Sequence, residues 1–287
     1  MAWVNAILQG VLTGGLYALF AAGLSLIFGV MRLVNLAHGD FIVLAAYMAL
    51  VITTALGVHP LASIAIVAPA MFILGYLLQR LVLNQTLGKD LLPPLLVTFG
   101  LSIIIQNGLL VAFTADTPRL QARGLETASL NFVGLSFGAM PVLTFAIAVG
   151  VILGLEALFR RTHLGRVFRA TSDRQNIVAL MGVDSRNVFA LAMGLALAIC
   201  AVAGIMLGIR TNFAPDAGPA RLLYAFEAVI IGGLGSLWGT LAGGVILGVS
   251  QAIGAKIHPG LQILAGHLVF LAVLVARPQG LFPRTKD

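Results

Sequence analysis

The sequence predicts an all-α, polytopic membrane protein that crosses the bilayer about nine times. Of 287 residues, 60% are hydrophobic and 9% charged, with a mean hydropathy of +1.04, whereas water-soluble domains carry roughly 25% charged residues. The 17 Lys and Arg and 10 Asp and Glu are too few to coat a soluble core of this size. Uncharged stretches recur along the chain, each near the roughly 20 residues that a crossing helix needs. Soluble enzymes are thereby excluded, and so are spanning open sheets, whose backbone groups lipid cannot satisfy. The net charge of +7 does not point to nucleic acid as a partner, because membrane proteins gather Lys and Arg in cytoplasmic loops.

Residues 1–31 hold no charged side chain or histidine and lack the basic start of a signal peptide, so they are predicted as a retained first span. Further spans are predicted at 41–58, 60–79, 91–115, 130–155 and 187–209. Residues 222–255 carry one charge, Glu227, and are too long for one span; Gly232, Gly233 and Gly235 offer a turn that divides them into a short span and a full one. Residues 257–276 form the last. The count is nine, eight without the division, and ten if one motif is re-entrant. No linker or composition shift interrupts the chain, so residues 1–287 form one transmembrane domain with a cytoplasmic segment at 160–186.

Basic residues set the orientation. With 160–186 inside, the N-terminus lies outside and the C-terminus in the cytoplasm. Arg32, Arg80, Lys89, Arg160, Arg161, Arg166, Arg169, Arg174, Arg186, Arg277, Arg284 and Lys286 then fall inside, against Arg119, Arg123, Arg210, Arg221 and Lys256 outside, or 12 against 5. Cys200 is the single cysteine, which excludes an intrachain disulfide and a CxxC pair.

Within 160–186, Ser172 and Gln175 have capping-box spacing, Asp173 suits the positive end of a helix dipole, and Gly182 suits a C-terminal cap. Ile177, Val178, Leu180 and Met181 gather at the far end of this short helix. It suits either a groove on a cytoplasmic partner or the surface of anionic lipid. Gly235, Gly239 and Gly243 make one small-residue ridge, and Gly232, Ser236, Thr240, Gly244, Gly248 and Ala252 an adjacent one, which implies close packing on two neighbouring helices. Gly88-Lys89 is followed by Asp90 rather than Ser or Thr, so no Walker A loop is present and ATP, if used, belongs to another subunit.

Asn35-Leu36-Ala37-His38-Gly39-Asp40 concentrates polar groups between the first two spans, at a membrane boundary. It reads either as a hydrogen-bonded turn with Asp40 capping the second span or as part of a gate. Thr98, Ser102, Gln106 and Asn107 give the fourth span a polar side that suits a path. Glu227, set among apolar residues, must face a cavity or find a partner, for which Arg221 and His267 are the candidates. Glu156 and Arg160 have the spacing of a helix-surface ion pair.

Five motifs resemble one family: residues 34–40, Thr98-Phe99-Gly100-Leu101-Ser102, Leu164-Gly165-Arg166 with Arg169-Ala170, Ile231-Gly232-Gly233-Leu234-Gly235-Ser236, and Arg277-Pro278-Gln279-Gly280-Leu281. In matching order over residues 9–283, they resemble the H-type permease subunits of bacterial branched-chain amino acid ABC importers. The resemblance implies a multi-pass permease of the inner membrane that carries branched-chain amino acids or a related amino acid, amide or urea solute. Its implied partners are a second permease subunit, two cytoplasmic ATP-binding subunits, an extracytoplasmic solute-binding protein and membrane lipid. No cofactor or catalysis is implied in this chain. Residues 165–182 would be the coupling segment, with Gly165, Arg166, Arg169, Ala170, Ser172, Asp173, Gln175, Ala179 and Gly182 in it. Asn35, His38, Asp40, Thr98, Ser102, Asn107 and Glu227 are the candidates for the translocation path, and Gly232, Gly233, Gly235, Gly239 and Gly243 for helix packing.

The alternative is a stand-alone secondary transporter or channel using Glu227 and the membrane histidines. Such transporters show broken helices in both of two inverted halves, and the sequence offers one break, at Gly232 to Gly235, without a clear mate. An enzyme is not expected, since His38, His59, His163, His258 and His267 lack two-histidine metal spacing.

Overall fold

A computed structural model describes residues 2–87, 92–122, 124–132 and 135–282. Lys89, Arg123, Arg284 and Lys286 of the charge tally, and Gly88 and Asp90 of the loop read against a Walker motif, lie outside the described residues. The helices are α1 Ala2–Met31, α2 His38–Leu56, α3 Pro60–Thr86, α4 Leu92–Phe113, α5 Ala139–Arg161, α6 His163–Leu180, α7 Ser185–Arg210, α8 Gly218–Gly232, α9 Leu237–Ile257 and α10 Pro259–Ala276. Eight are long and apolar enough to cross a membrane, all but α6 and α8. At about 1.5 Å per residue, the 15 residues of α8 fall short of a roughly 30 Å hydrocarbon core. The division of 222–255 is present, with α8 ending at Gly232 and α9 starting at Leu237.

The fifth span begins later than predicted. Residues 129–138 form an antiparallel hairpin, Ser129–Phe132 with Leu135–Gly138, in register Ser129 to Gly138. The sequence Ser-Leu-Asn-Phe and Leu-Ser-Phe-Gly alternates with period two, the signature of a strand rather than a span. The hairpin satisfies its own backbone and precedes the helix.

Glycine fixes the centre of the bundle. α1 and α9 run antiparallel at backbone contact: a Cβ on Gly14 would lie 2.5 Å from Val245 Cα, and one on Gly244 would lie 2.7 Å from Gly14 O. On α9, Gly244 and Gly248 face α1, while Gly239 and Gly243 face Gly232 and Ala228 of α8. The two ridges thus serve two neighbours, except that Gly232 lies on α8 opposite Gly239, and Gly233 and Gly235 sit in the connection with φ of +107° and +78°. α3 and α7 pack likewise, Gly75 on Met193 and Gly194 on Phe72.

These contacts relate the chain's two ends. α1 packs on α9 as α7 packs on α3, and α1 and α7 run antiparallel, Thr13 meeting Arg210 and Gly23 meeting Ala196, so the contacts of α1, α2 and α3 match those of α7, α8 and α9. In each set the second helix follows a non-helical stretch, residues 32–37 before α2 and 211–217 before α8. The break expected at Gly232 to Gly235 is present between α8 and α9. The starts of α2 and α8 touch, since a Cβ on Gly39 would overlap Gly218 O.

Candidate functional site

The polar motif of residues 35–40 lies inside the bundle, not at its boundary. After Met31 the chain turns at Arg32, with φ +54°, and runs back until α2 begins at His38. His38 Nε2 is 2.8 Å from Phe20 O, and Phe20 precedes the end of α1 by eleven residues, or roughly 16 Å of helical rise. Hydropathy could not place it, because the stretch is judged by its neighbours in sequence and not by the helix it folds against.

Asp40 does not cap α2. The cap residue is Ala37, without a side-chain bond; Asn35 shapes the turn by accepting from Ala37 N at 3.0 Å. The Asp40 carboxylate reaches α4 instead, where Gln106 Nε2 donates to it at 2.9 Å and to Ser102 Oγ at 2.9 Å. Leu36 N donates to Thr98 Oγ1 at 3.2 Å. Asn35, His38, Asp40, Thr98 and Ser102 are thus brought together, all buried. Asn107 is not among them: it is exposed and its amide donates to Ile103 O at 2.8 Å. Thr98, Ser102 and Gln106 are four apart and share one face of the helix; Gln106 is the member that meets Asp40, and this spacing is the signal for it.

Glu227, 1% exposed, pairs with His267 Nδ1 through Oε1. Arg221 is not its partner. The same region gathers Tyr17, Arg210 and Gln251, which sequence reasoning missed; Tyr17 donates to Gln251 Oε1 at 2.5 Å, and its ring lies 5.0 Å from that of Tyr224. Gln251, an amide in an apolar helix, was the available signal. Among the described residues no group of three His, Cys, Asp or Glu could hold a metal ion.

The segment 160–186 folds as a longer helix than predicted. α6 starts at His163 with Thr162 Oγ1 accepting from Gly165 N at 3.1 Å. Ser172 is no cap; its hydroxyl donates to Gly29 O at 2.7 Å and ties α6 to the end of α1. The capping box fails because Ser172 finds a better-placed tertiary acceptor. At Arg174, with φ −147° and ψ 79°, the helix breaks in two. Gly165 is required where α6 meets α5, since a Cβ there would lie 2.5 Å from Phe159 Cα. Arg166, Arg169, Ala170, Asp173, Gln175 and Ala179 are exposed. Gly182, with φ +80°, donates to Ala179 O and Val183 N donates to Val178 O, a Schellman cap. Beyond the break Leu180 and Met181 are 88% and 77% exposed. Between α6 and the bundle lies a cavity of about 1420 Å³, lined by Ser25, Arg32, Arg169, Arg174 and Trp238 among others. The Glu156 to Arg160 ion pair forms at its rim.

A family model described as branched-chain amino acid transport system, permease component, matches residues 6–276. The chain is 29% identical to the high-affinity branched-chain amino acid transport system permease protein BraD of Pseudomonas aeruginosa, over 98% of this chain and 96% of that one. It is 27% identical to the corresponding permease protein LivH of Salmonella typhimurium, over 98% and 96%. Its fold is similar to that of PsaBC from Streptococcus pneumoniae in complex with Fab, with a TM-score of 0.50 and 14% identity over 94% of this chain and 91% of that one. Eight spanning helices and a match over nearly the whole chain identify a multi-pass inner-membrane protein that belongs to the family of permease components of branched-chain amino acid transport systems.

Proposed function

We propose that this chain is one of two permease subunits in an ATP-driven importer of branched-chain amino acids. Two cytoplasmic ATP-binding subunits and an extracytoplasmic solute-binding protein complete the assembly; residues 211–217 and the short α8 together make a ninth crossing beside the eight long helices, which puts the N-terminus outside and the C-terminus inside. A loaded binding protein docks outside, and ATP binding and hydrolysis shift the two permeases between outward- and inward-facing arrangements. Hydrolysis resides in the partners, and the names of the related permeases support the substrate class.

The observation that carries this reading is the outer half of α6, whose Leu180 and Met181 stand exposed beyond the break at Arg174. An apolar tip on a short helix suits insertion into a groove of a cytoplasmic ATPase, and Ser172 on Gly29 passes its movement to α1. The exposed apolar residues of α3, α4 and α10, such as Ile66, Leu96, Ile104 and Leu268, meet lipid or the second permease, as does Asn107. Asn35, His38, Asp40, Thr98 and Ser102 act as a joint beside the pathway, and Glu227 lines it.

The test is leucine uptake by the assembled complex in proteoliposomes, with and without ATP. Leu180→Asp or Ala179→Arg should abolish ATP-driven uptake while the permease still inserts; undiminished uptake would reject the coupling role. Uptake by this chain without ATPase subunits would support a self-sufficient transporter instead.

A further inference from the structure

The cavity of about 1420 Å³ between α6 and the bundle is basic. Its charged lining is Arg32 from the α1–α2 turn, Glu156 and Arg160 from α5, and Arg169, Asp173 and Arg174 from α6. Four arginines against two carboxylates leave an excess of two positive charges. Glu156 takes Arg160, whereas Arg32, Arg169 and Arg174 are exposed and make no ion pair among the described residues. Like charges gathered on one space from separate elements repel unless an anion joins them. Leu237 and Trp238 of the first turn of α9 line the same cavity, and the positive end of that helix adds to the attraction.

Position narrows the kind of anion. α1 ends at Met31 and α5 at Arg161, and both are spanning helices, so Arg32 and Arg160 stand at the depth of lipid headgroups. Trp238, 45% exposed, is of the residue type that collects at that depth. From the rim a continuous face runs into the bilayer along α5. Arg160, Ala157, Leu153 and Gly150 are three or four apart and share one side of the helix, and all four are exposed. A Cβ on Gly150 or Gly154 would meet nothing within 4 Å, so the face is an open furrow. A soluble anion would use the arginines and leave the furrow empty. A neighbouring helix would fill the furrow and leave the arginines without counter-charge. A molecule with an anionic head and apolar tails uses both.

We propose that the cavity holds the headgroup of an anionic phospholipid, its phosphate taken by Arg32, Arg169 and Arg174, with an acyl chain laid along Gly150, Leu153 and Ala157. Basic pockets between spans hold such headgroups, and guanidiniums meet phosphate oxygens in paired, charge-assisted hydrogen bonds. The two portions of α6 then serve different neighbours. The portion up to the break at Arg174 is moored to lipid and bundle, and the exposed Leu180 and Met181 beyond it are left for a protein partner. Ser172, which bonds Gly29 O, lines the same cavity, so the lipid reinforces an existing tie between α6 and α1.

The test is photolabelling of the full chain, with its co-purifying subunits, in phosphatidylcholine nanodiscs. These are doped with either phosphatidylglycerol or phosphatidylcholine that carries a diazirine in its acyl chain, and the labelled peptides are mapped by mass spectrometry. Labelling of residues 150–160 should be at least about tenfold stronger from phosphatidylglycerol, and Arg169→Gln combined with Arg174→Gln should remove most of that difference. Equal labelling by the two lipids, or a difference that survives the double variant, would overturn the proposal. Absence of any label on α5 would overturn it too, by showing that another subunit covers the furrow. Loss of the label on adding inorganic phosphate, beyond the effect of sodium chloride at equal ionic strength, would assign the arginines to a soluble anion instead. The comparison of the two lipids needs only the wild-type protein, so it decides even if the variant fails to assemble. No readout here involves transport, so the lipid seat can fail while the importer reading stands.

Discussion

The first and last parts of the bundle each join a helix that follows a non-helical stretch to an outer helix through a buried carboxylate, and they do so differently. In the first, Asp40 meets the neutral amide of Gln106, with Thr98 and Ser102 closing the joint on α4. In the second, Glu227 meets His267, whose side chain is 31% exposed. The two positions therefore carry unequal chemistry: each carboxylate keeps one buried oxygen without a partner, Asp40 Oδ2 and Glu227 Oε2, but the first meets a neutral amide and the second an imidazole. The fold fixes where a carboxylate can link the helices, and the local side chains decide whether it is a fastening or a site.

The largest effect is expected where the halves touch. Gly39→Val or Gly218→Val would drive a side chain into Gly218 O or Asp40 Oδ1, and the cost of about 3 kcal/mol or more from overpacking should abolish recovery of folded protein in detergent. Normal yield would show that the two starts do not meet. Next, Asp40→Ala should lower stability by about 1–3 kcal/mol by stranding the Gln106 amide, visible as earlier thermal unfolding, with little change in leucine affinity once folded. Glu227→Gln should do the opposite, and similar profiles for the two variants would erase the contrast between joint and site.

Smaller effects lie outside the joints. Ser172→Ala removes one hydrogen bond between α6 and Gly29 and should cost about 1 kcal/mol, read as weaker coupling of ATP hydrolysis to uptake. The smallest concerns the loop before α5. There the Glu126 carboxylate accepts from the backbone N–H groups of Ala122 and Gly124; the Ala122 bond first of all holds it below its ordinary value of 4.5. A depressed carboxylate stabilises the loop above that value and loses the contribution as pH falls through its folded pKa. Amide exchange at Ala122 and Gly124 should therefore be slow at neutral pH and accelerate in acid beyond its intrinsic dependence; Glu126→Gln should remove the difference.

Much of the bundle was legible locally. Long apolar stretches located the helices, and the glycine ridges of α9 announced two close neighbours, because crossing length and small-residue spacing are properties of short segments. The polar joints were only half legible. Glu227 and Asp40 stood out as charges where charge is costly, and His267 was among the possible partners, but Gln106 and Arg210 gained meaning only from helices distant in sequence. Ser172 shows the converse: its spacing to Gln175 satisfied a local rule, and a carbonyl 143 residues away took the hydroxyl instead.

By itself the sequence determined that this chain lives in a membrane as a helical permease, since composition and motif order do not depend on how the helices meet. Tertiary structure decided that the starts of α2 and α8 touch, that Asp40 meets Gln106, and that Glu227 meets His267 rather than Arg221. The reason is physical: hydropathy and capping act over a few residues, whereas burying a polar group stabilises the fold only when a specific partner, however remote along the chain, arrives at hydrogen-bonding distance.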